Sequence, residues 1–147
     1  MDMPDQVFNI HNEEEVVSCI VRSSVYFDID PLLLMAIRLQ EAGKIGQYST
    51  NKNNTYDVGP MQINVNVWYK KINEKFSISK EELMFDACAN VYTGAWILYN
   101  ELSKLKKSDD IWKAVGNYHS RTPKHHNNYV MKVKERYNKL LKNLNNN

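Results

Sequence analysis

The stretch DPLLLMAIRLQEAGKIG, residues 30–46, decides how this chain is read. Asp30 followed by Pro31 is a helix start, because Asp caps the first free amides and Pro fits the first helical position. The residues that follow are apolar nearly all the way round, which places the helix in the interior. Gly43 marks its end. A carboxylate, Glu41, therefore stands in the last turn of a very hydrophobic helix. Leu34, Ile37 and Glu41 lie three and four apart and share one face. Apolar neighbours disfavour the charged form, and the partial negative charge at a helix C-terminus pushes the same way. Both effects hold a proton on Glu41 near neutral pH, as a general acid requires. Position alone favours a plainer reading, a glutamate at a helix end that turns out to water.

Helix signals continue on both sides. Upstream, EEEVVSCIVRSSVYF places apolar residues at Val16, Val17, Ile20 and Val21, with Ser24 on the same face and three acids at the start. Residues 42–60 read as a long polar loop with Gly43, Gly46, Gly59, Pro60 and several asparagines, and a loop of that length in a small domain tends to be functional. MQINVNVW, 61–68, alternates polar and apolar residues and locally predicts a strand. Ser79 and Glu82 fit a capping box. FDACANVYTGAWILYNELSKL, 85–105, repeats apolar residues at steps of three and four and predicts a long helix. Gly94 inside it is costly unless something packs closely there. DDIWKAVGNYHS and NNYVMKVKERYNKLLKNL complete an all-α pattern of about six helices. The chain reads as one domain over residues 13–143, with an N-terminal extension at 1–12 and a disordered Asn-rich tail at 144–147.

The 147 residues suffice for one domain with a real core, and 43% hydrophobic with 24% charged residues is ordinary globular composition. A net charge of +2, without basic residues interleaved with aromatics, argues against nucleic acid. The basic C-terminal run is most simply a solvated helix face, with weak attraction to an anionic polymer as the functional alternative. No apolar run approaches the ~18 residues of a membrane span. The acidic N-terminus lacks the apolar core of a signal peptide, which fits a cytoplasmic protein or a mature form of an exported one. Cys19 and Cys88 lack metal-type spacing and are either two buried thiols or one disulfide.

Three polar constellations join Glu41 as candidates. In TYDVGPMQIN, 55–64, Gly59-Pro60 makes a turn, Asp57 precedes it, and Gln62, Asn64 and Asn66 offer amides suited to sugar hydroxyls. In AVGNYHSRTP, 114–123, and at Tyr129 further on, Tyr118 and Tyr129 can present hydroxyls to a cleft. His119, His125 and His126 have no acidic or Cys partner at ligand spacing, which argues against a metal. Each piece taken singly also fits a structural turn or an aromatic core.

Together, in this order, these pieces resemble the SLT family of lytic transglycosylases, in particular the small members that accompany type III and type IV secretion, pilus and conjugation systems. The resemblance runs from about Cys19 to Val133. IDPLLLMAIRLQEAG is similar to the family helix that ends in the catalytic glutamate, here Glu41. DVGPMQIN is similar to the G-L-M-Q motif, here Gly59, Met61, Gln62 and Ile63. DACANVYTGAWIL matches the helix with Asn90 and Gly94, and AVGNYHSRTP matches the A-x-x-Y-N-x-G block at Ala114 and Tyr118.

The resemblance implies a mainly α, lysozyme-like single domain with a long active-site loop and a minimal β-hairpin near 55–58. It turns MQINVNVW into a loop leading to a helix. It implies a disulfide between Cys19 and Cys88, joining the first helix to the long one. It implies Glu41 as the catalytic group, Gln62, Asn64, Tyr118 and Tyr129 as substrate contacts, and Gly59, Met61, Asn90 and Gly94 as structural motif residues. Asp57 is a second catalytic candidate, either supporting the reaction as a nearby carboxylate or holding the loop by bonding backbone amides near the Gly-Pro turn. The substrate would be the glycan strand of peptidoglycan, cut without metal or organic cofactor by a monomer in the periplasm or another extracytoplasmic space. Components of a secretion or conjugation apparatus would be its partners. Hydrolysis of the same bond, as by a muramidase, and a non-catalytic wall-binding module are the alternatives. The chain departs from the family pattern at Ala42, where a serine usually follows the glutamate, at Pro60 for leucine, and at His119 and Arg121.

Overall fold

Asp30 caps its helix as the sequence predicts: its side chain accepts from the Leu32 amide, and Pro31 takes the first position of α2 (Pro31–Glu41). The computed structural model describes residues 1–8 and 12–146. Before α2 comes α1 (Glu13–Phe27), opened by Asn12 and three acids. A three-stranded antiparallel sheet follows, β1 (Tyr48–Thr50), β2 (Tyr56–Val58) and β3 (Ile63–Asn64), in that spatial order. The rest is helical: α3 (Val65–Phe76), α4 (Lys80–Phe85), α5 (Ala87–Ser103), α6 (Ile111–His119) and α7 (Pro123–Asn145). The fold is mainly helical and lysozyme-like, with seven helices among the described residues rather than six.

The additional helix lies where local alternation predicts a strand. Ile63 and Asn64 do pair with Val58 and Asp57, but the strand stops there. Asn64 turns its side chain to accept from the Val67 amide and starts α3. Val65 and Ile72 are buried, and Trp68, Tyr69 and Phe76 pack partly against the core. That is a helical spacing, visible only over twelve residues, and it overrides a period of two seen over seven. The capping box at Ser79 and Glu82 is complete in both directions.

The central helix is α5, not α2. Buried residues occupy nearly its whole circumference, from Asn90 through Leu98 to Glu101. It packs on α1, α4 and α6 and touches β3. Cys19 of α1 and Cys88 of α5 form a disulfide with a Cα separation of 5.0 Å. Helix α2 buries one face, Leu33, Leu34, Ala36, Ile37 and Arg38, and leaves Leu39 at the surface. The buried Arg38 guanidinium is paired with Glu13 at 2.8 Å, as an interior charge requires. On α1, Val17 and Val21 are exposed, and Val16, Cys19 and Ile20 make the core contact instead. The N-terminal residues run alongside the sheet: the Val7 amide donates to Gly46, and Gln6 accepts from Tyr48. Residues 9–11 of the expected 1–12 extension lie outside the described residues. Helix α7 continues past residue 143, where the expected tail begins, with Asn146 as its cap; Asn147 lies outside the description. None of the described helices is long and apolar enough to cross a membrane.

Candidate active site

Glu41 is the last residue of α2. Ala42, at φ 56°, adopts the left-handed conformation that ends the helix, and its amide donates to Arg38. The terminator is therefore Ala42 and not Gly43. Gly43 serves another need: a Cβ there would strike the Gly59 carbonyl and the Gln62 amide. Absence of a side chain lets the 59–62 turn press against the end of α2, directly behind the acid.

That turn is held from every side. Gly59 and Gln62 both take positive φ. The Met61 amide donates to Asn90 Oδ1 at 2.8 Å, while Asn90 Nδ2 donates to the Val58 and Leu83 carbonyls at 2.9 and 2.8 Å. Met61 is fully buried against Gly94, which explains a glycine in the middle of a helix: a Cβ there would meet the Met61 side chain. Tyr118 donates to the Met61 carbonyl at 3.0 Å. One asparagine and one tyrosine thus tie the loop to α5 and α6.

Glu41 and Asp57 line one cleft of about 450 Å³, within the usual range of ligand sites. Its walls include Gln62, Asn64, Trp68 and Tyr118. Tyr129, brought by α7 and 88 residues distant in sequence, donates its hydroxyl to Glu41 Oε1 at 2.8 Å. The Glu41 carboxyl is pushed up to about 7, chiefly by burial. The Tyr129 hydrogen bond opposes the rise, and the charge of Asp57 adds to it. Burial also raises Asp57, with Asn51 and His119 pulling it back. Burial, with Glu41 next in weight, pushes the phenols of Tyr118 and Tyr129 well above their ordinary range, so both remain donors.

Of the predicted contact residues, Gln62 and Asn64 line the cleft but are largely occupied within the protein. Ser49 donates to Gln62 Oε1, and Gln62 Nε2 donates to the Gly59 carbonyl. Asn64 caps α3 and donates to Thr55. Asn66 accepts from the Tyr56 amide. Asp57 sits in β2 opposite Ser49 and Asn64. Among the described residues no backbone amide donates to its carboxyl, and Asn51 is the side chain that hydrogen-bonds it.

The sequence gives little warning of three further features. The His119 ring stacks on Tyr129, with centroids 4.5 Å apart and planes within 7°. Burial and the nearby His125 lower the His119 pKa, against the pull of Asp57. Trp68 meets Trp96 edge to face across the wall between cleft and core. Glu101, buried on α5, pairs with Arg121 at 2.7 Å. A signal for this last pair does exist: Glu101 follows Leu98 by three on the buried face, and an acid there demands a cation.

Comparisons with known proteins give the family. The model of the Transglycosylase SLT domain matches residues 18–143. The chain is 35% identical over 127 residues to "Invasion protein IagB" of Salmonella typhimurium, covering 83% of this chain and 76% of that one. It is 32% identical over 109 residues to "X polypeptide" of Escherichia coli, covering 72% of this chain and 60% of the relative. It is 28% identical over 109 residues to a "Putative peptidoglycan-binding-like protein" of Escherichia coli K12, with 70% and 67% covered. A carboxyl raised by burial at a helix end, a tyrosine hydrogen-bonded to it and a clamped G-P-M-Q turn occur here within a match spanning most of the chain: the protein belongs to the SLT family of peptidoglycan lytic transglycosylases.

Proposed function

We propose that the protein cleaves the β-1,4 bond between N-acetylmuramic acid and N-acetylglucosamine and leaves a 1,6-anhydro-muramyl end. The observation that carries this reading is the setting of Glu41: it lines the cleft, accepts a hydrogen bond from Tyr129, and burial pushes its carboxyl up to about 7. A protonated Glu41 donates to the glycosidic oxygen as the C1–O bond breaks, and an oxocarbenium-like centre develops. The carboxylate that remains takes the proton of the muramyl C6 hydroxyl while that oxygen closes on C1. Protons balance, Glu41 is regenerated, and no water enters. Tyr129 stabilises the carboxylate between the two transfers, and Tyr118 holds the Met61 carbonyl beneath the site.

Asp57 supports a second outcome. It lines the same cleft, and its charge is felt at Glu41. A second carboxylate that oriented water would turn the enzyme into a muramidase. Digestion of purified peptidoglycan with mass analysis separates the two: anhydro ends identify the transglycosylase, and reducing ends identify the hydrolase. We further propose that a monomer acts outside the cytoplasm, in the periplasm. The disulfide fits an oxidising compartment. We also propose that it opens the wall locally for a dedicated secretion or conjugation apparatus; one relative is named an invasion protein.

A further inference from the structure

We propose that Arg121, held by the buried carboxylate of Glu101, receives a substrate carboxylate in the cleft and selects acidic muramyl glycans over neutral N-acetylglucosamine polymers. The inference rests on the glycan-cleaving role proposed for this cleft.

Arg121 stands at the corner between α6 and α7, and that corner is fixed. Ser120 ends α6, its hydroxyl accepts from the Thr122 amide at 3.1 Å, and its carbonyl pairs with His126 Nδ1 at 3.0 Å. From this corner the Arg121 guanidinium reaches Glu101 Oε1 at 2.7 Å. Glu101 is only 6% exposed, so the pair is anchored inside the protein on the carboxylate side. The Arg121 side chain is 62% exposed and lines the cleft together with Glu41. Of its five N–H donors, the structure gives one to Glu101.

The local charge is not cancelled. Glu101 also receives Lys104 at 3.5 Å, so one acid faces two bases and a positive charge is left over. The groove that adjoins the cleft, sharing Asn51, Asn64, His119 and Ser120 with it, adds Lys52 and His125, and among the described residues no carboxylate lines it. Acid thus stands at the cutting position and base at the rim. Muramyl residues carry a lactyl carboxyl, free or extended by a peptide with its own carboxylates, whereas N-acetylglucosamine carries none. A positioned guanidinium binds carboxylate strongly and directionally.

A purely structural Arg121, present only to neutralise Glu101, predicts different behaviour. The test uses the full chain carrying Glu41→Gln, so that bound glycan is not consumed. Calorimetric titration compares a muramyl disaccharide tetrapeptide with chitotetraose. Adding Arg121→Gln lowers affinity for the muramyl probe by about tenfold and leaves chitotetraose unchanged. The salt dependence of muramyl binding shrinks with it, and Arg121→Lys restores part of the affinity. Should Arg121→Gln unfold by stranding Glu101, the double change Glu101→Gln with Arg121→Gln removes the buried charge and gives the same selectivity loss. Equal weakening of both probes, or no change in their ratio, overturns the inference. If the wild type cuts peptidoglycan while the ratio stays fixed, only the role of Arg121 falls. If the wild type cuts no glycan, the proposed function falls independently of these titrations.

Discussion

Replacing Glu41 by Gln should make the protein more stable, and only above a particular pH. The ordinary value of the carboxyl is 4.5, and burial in the folded protein pushes it up to about 7. A carboxyl whose folded value is raised favours the folded state most when it is protonated in both states, below pH 4.5. Between pH 4.5 and 7 the unfolded chain releases its proton more readily, so stability falls. Above pH 7 the loss is complete, because a charge must then be held in a site built for a neutral group. At 1.36 kcal/mol per pH unit the interval corresponds to about 3 kcal/mol, and water in the open cleft reduces this to about 2–3 kcal/mol. Glutamine keeps the shape, carries no charge and retains a partner for Tyr129. Urea unfolding of wild type and Glu41→Gln should therefore give nearly coincident midpoints at pH 4. At pH 8 the variant midpoint should lie about 1 M higher, for a urea slope of about 2 kcal/mol/M. A midpoint difference that is the same at both pH values would refute the assignment of Glu41 as a half-buried carboxyl with a raised pKa.

Other perturbations act on the same network. Cleavage should decline as pH rises through about 7, where Glu41 loses its proton. Tyr129→Phe should move that decline to higher pH by about one unit or more, since a donor to the carboxylate is removed. Asp57→Asn should move it to lower pH by removing a like charge, and pH–rate profiles that stay in place would contradict both assignments. Reducing the Cys19–Cys88 disulfide frees a loop with a sequence separation of 69. In the chain-entropy treatment that costs about 4 kcal/mol, a fall of about 10 °C in Tm by calorimetry. Asn90→Ala leaves the Met61 amide and the Val58 and Leu83 carbonyls without their buried partner. It should cost about 3 kcal/mol or more in urea unfolding, and cleavage should fall with it as the 59–62 turn loosens.

Glu41 was legible because the signal is local: a carboxylate three and four residues beyond Ile37 and Leu34 on one apolar face. The caps at Asp30 and Ser79 were legible for the same reason. Gly94 announced a close approach without saying what approaches, and Met61 supplies the answer from 33 positions upstream. Local alternation over 61–68 misled because a two-residue pairing and a capped helix share one alternating pattern, whereas the resemblance implied a segment leading into a helix, and α3 starts at Val65. Gln62 and Asn64 have the amides that sugars need, but composition does not reveal that Ser49, Gly59, Val67 and Thr55 already engage them. The hydrogen bond from Tyr129 to Glu41 and the pair of Glu101 with Arg121 join distant segments, so no window of sequence contains them. Raising of the Glu41 pKa was expected from burial and the helix end; the added push from Asp57 emerges only when β2 is laid across the cleft.

The most direct measurement of the central claim is digestion of purified peptidoglycan by wild type and by Glu41→Gln at pH 6, with the soluble products identified by mass. The expected result is 1,6-anhydro-muramyl fragments from the wild type and essentially none from the variant, whose fold is checked by circular dichroism. Undiminished release of the same fragments by folded Glu41→Gln would contradict the account.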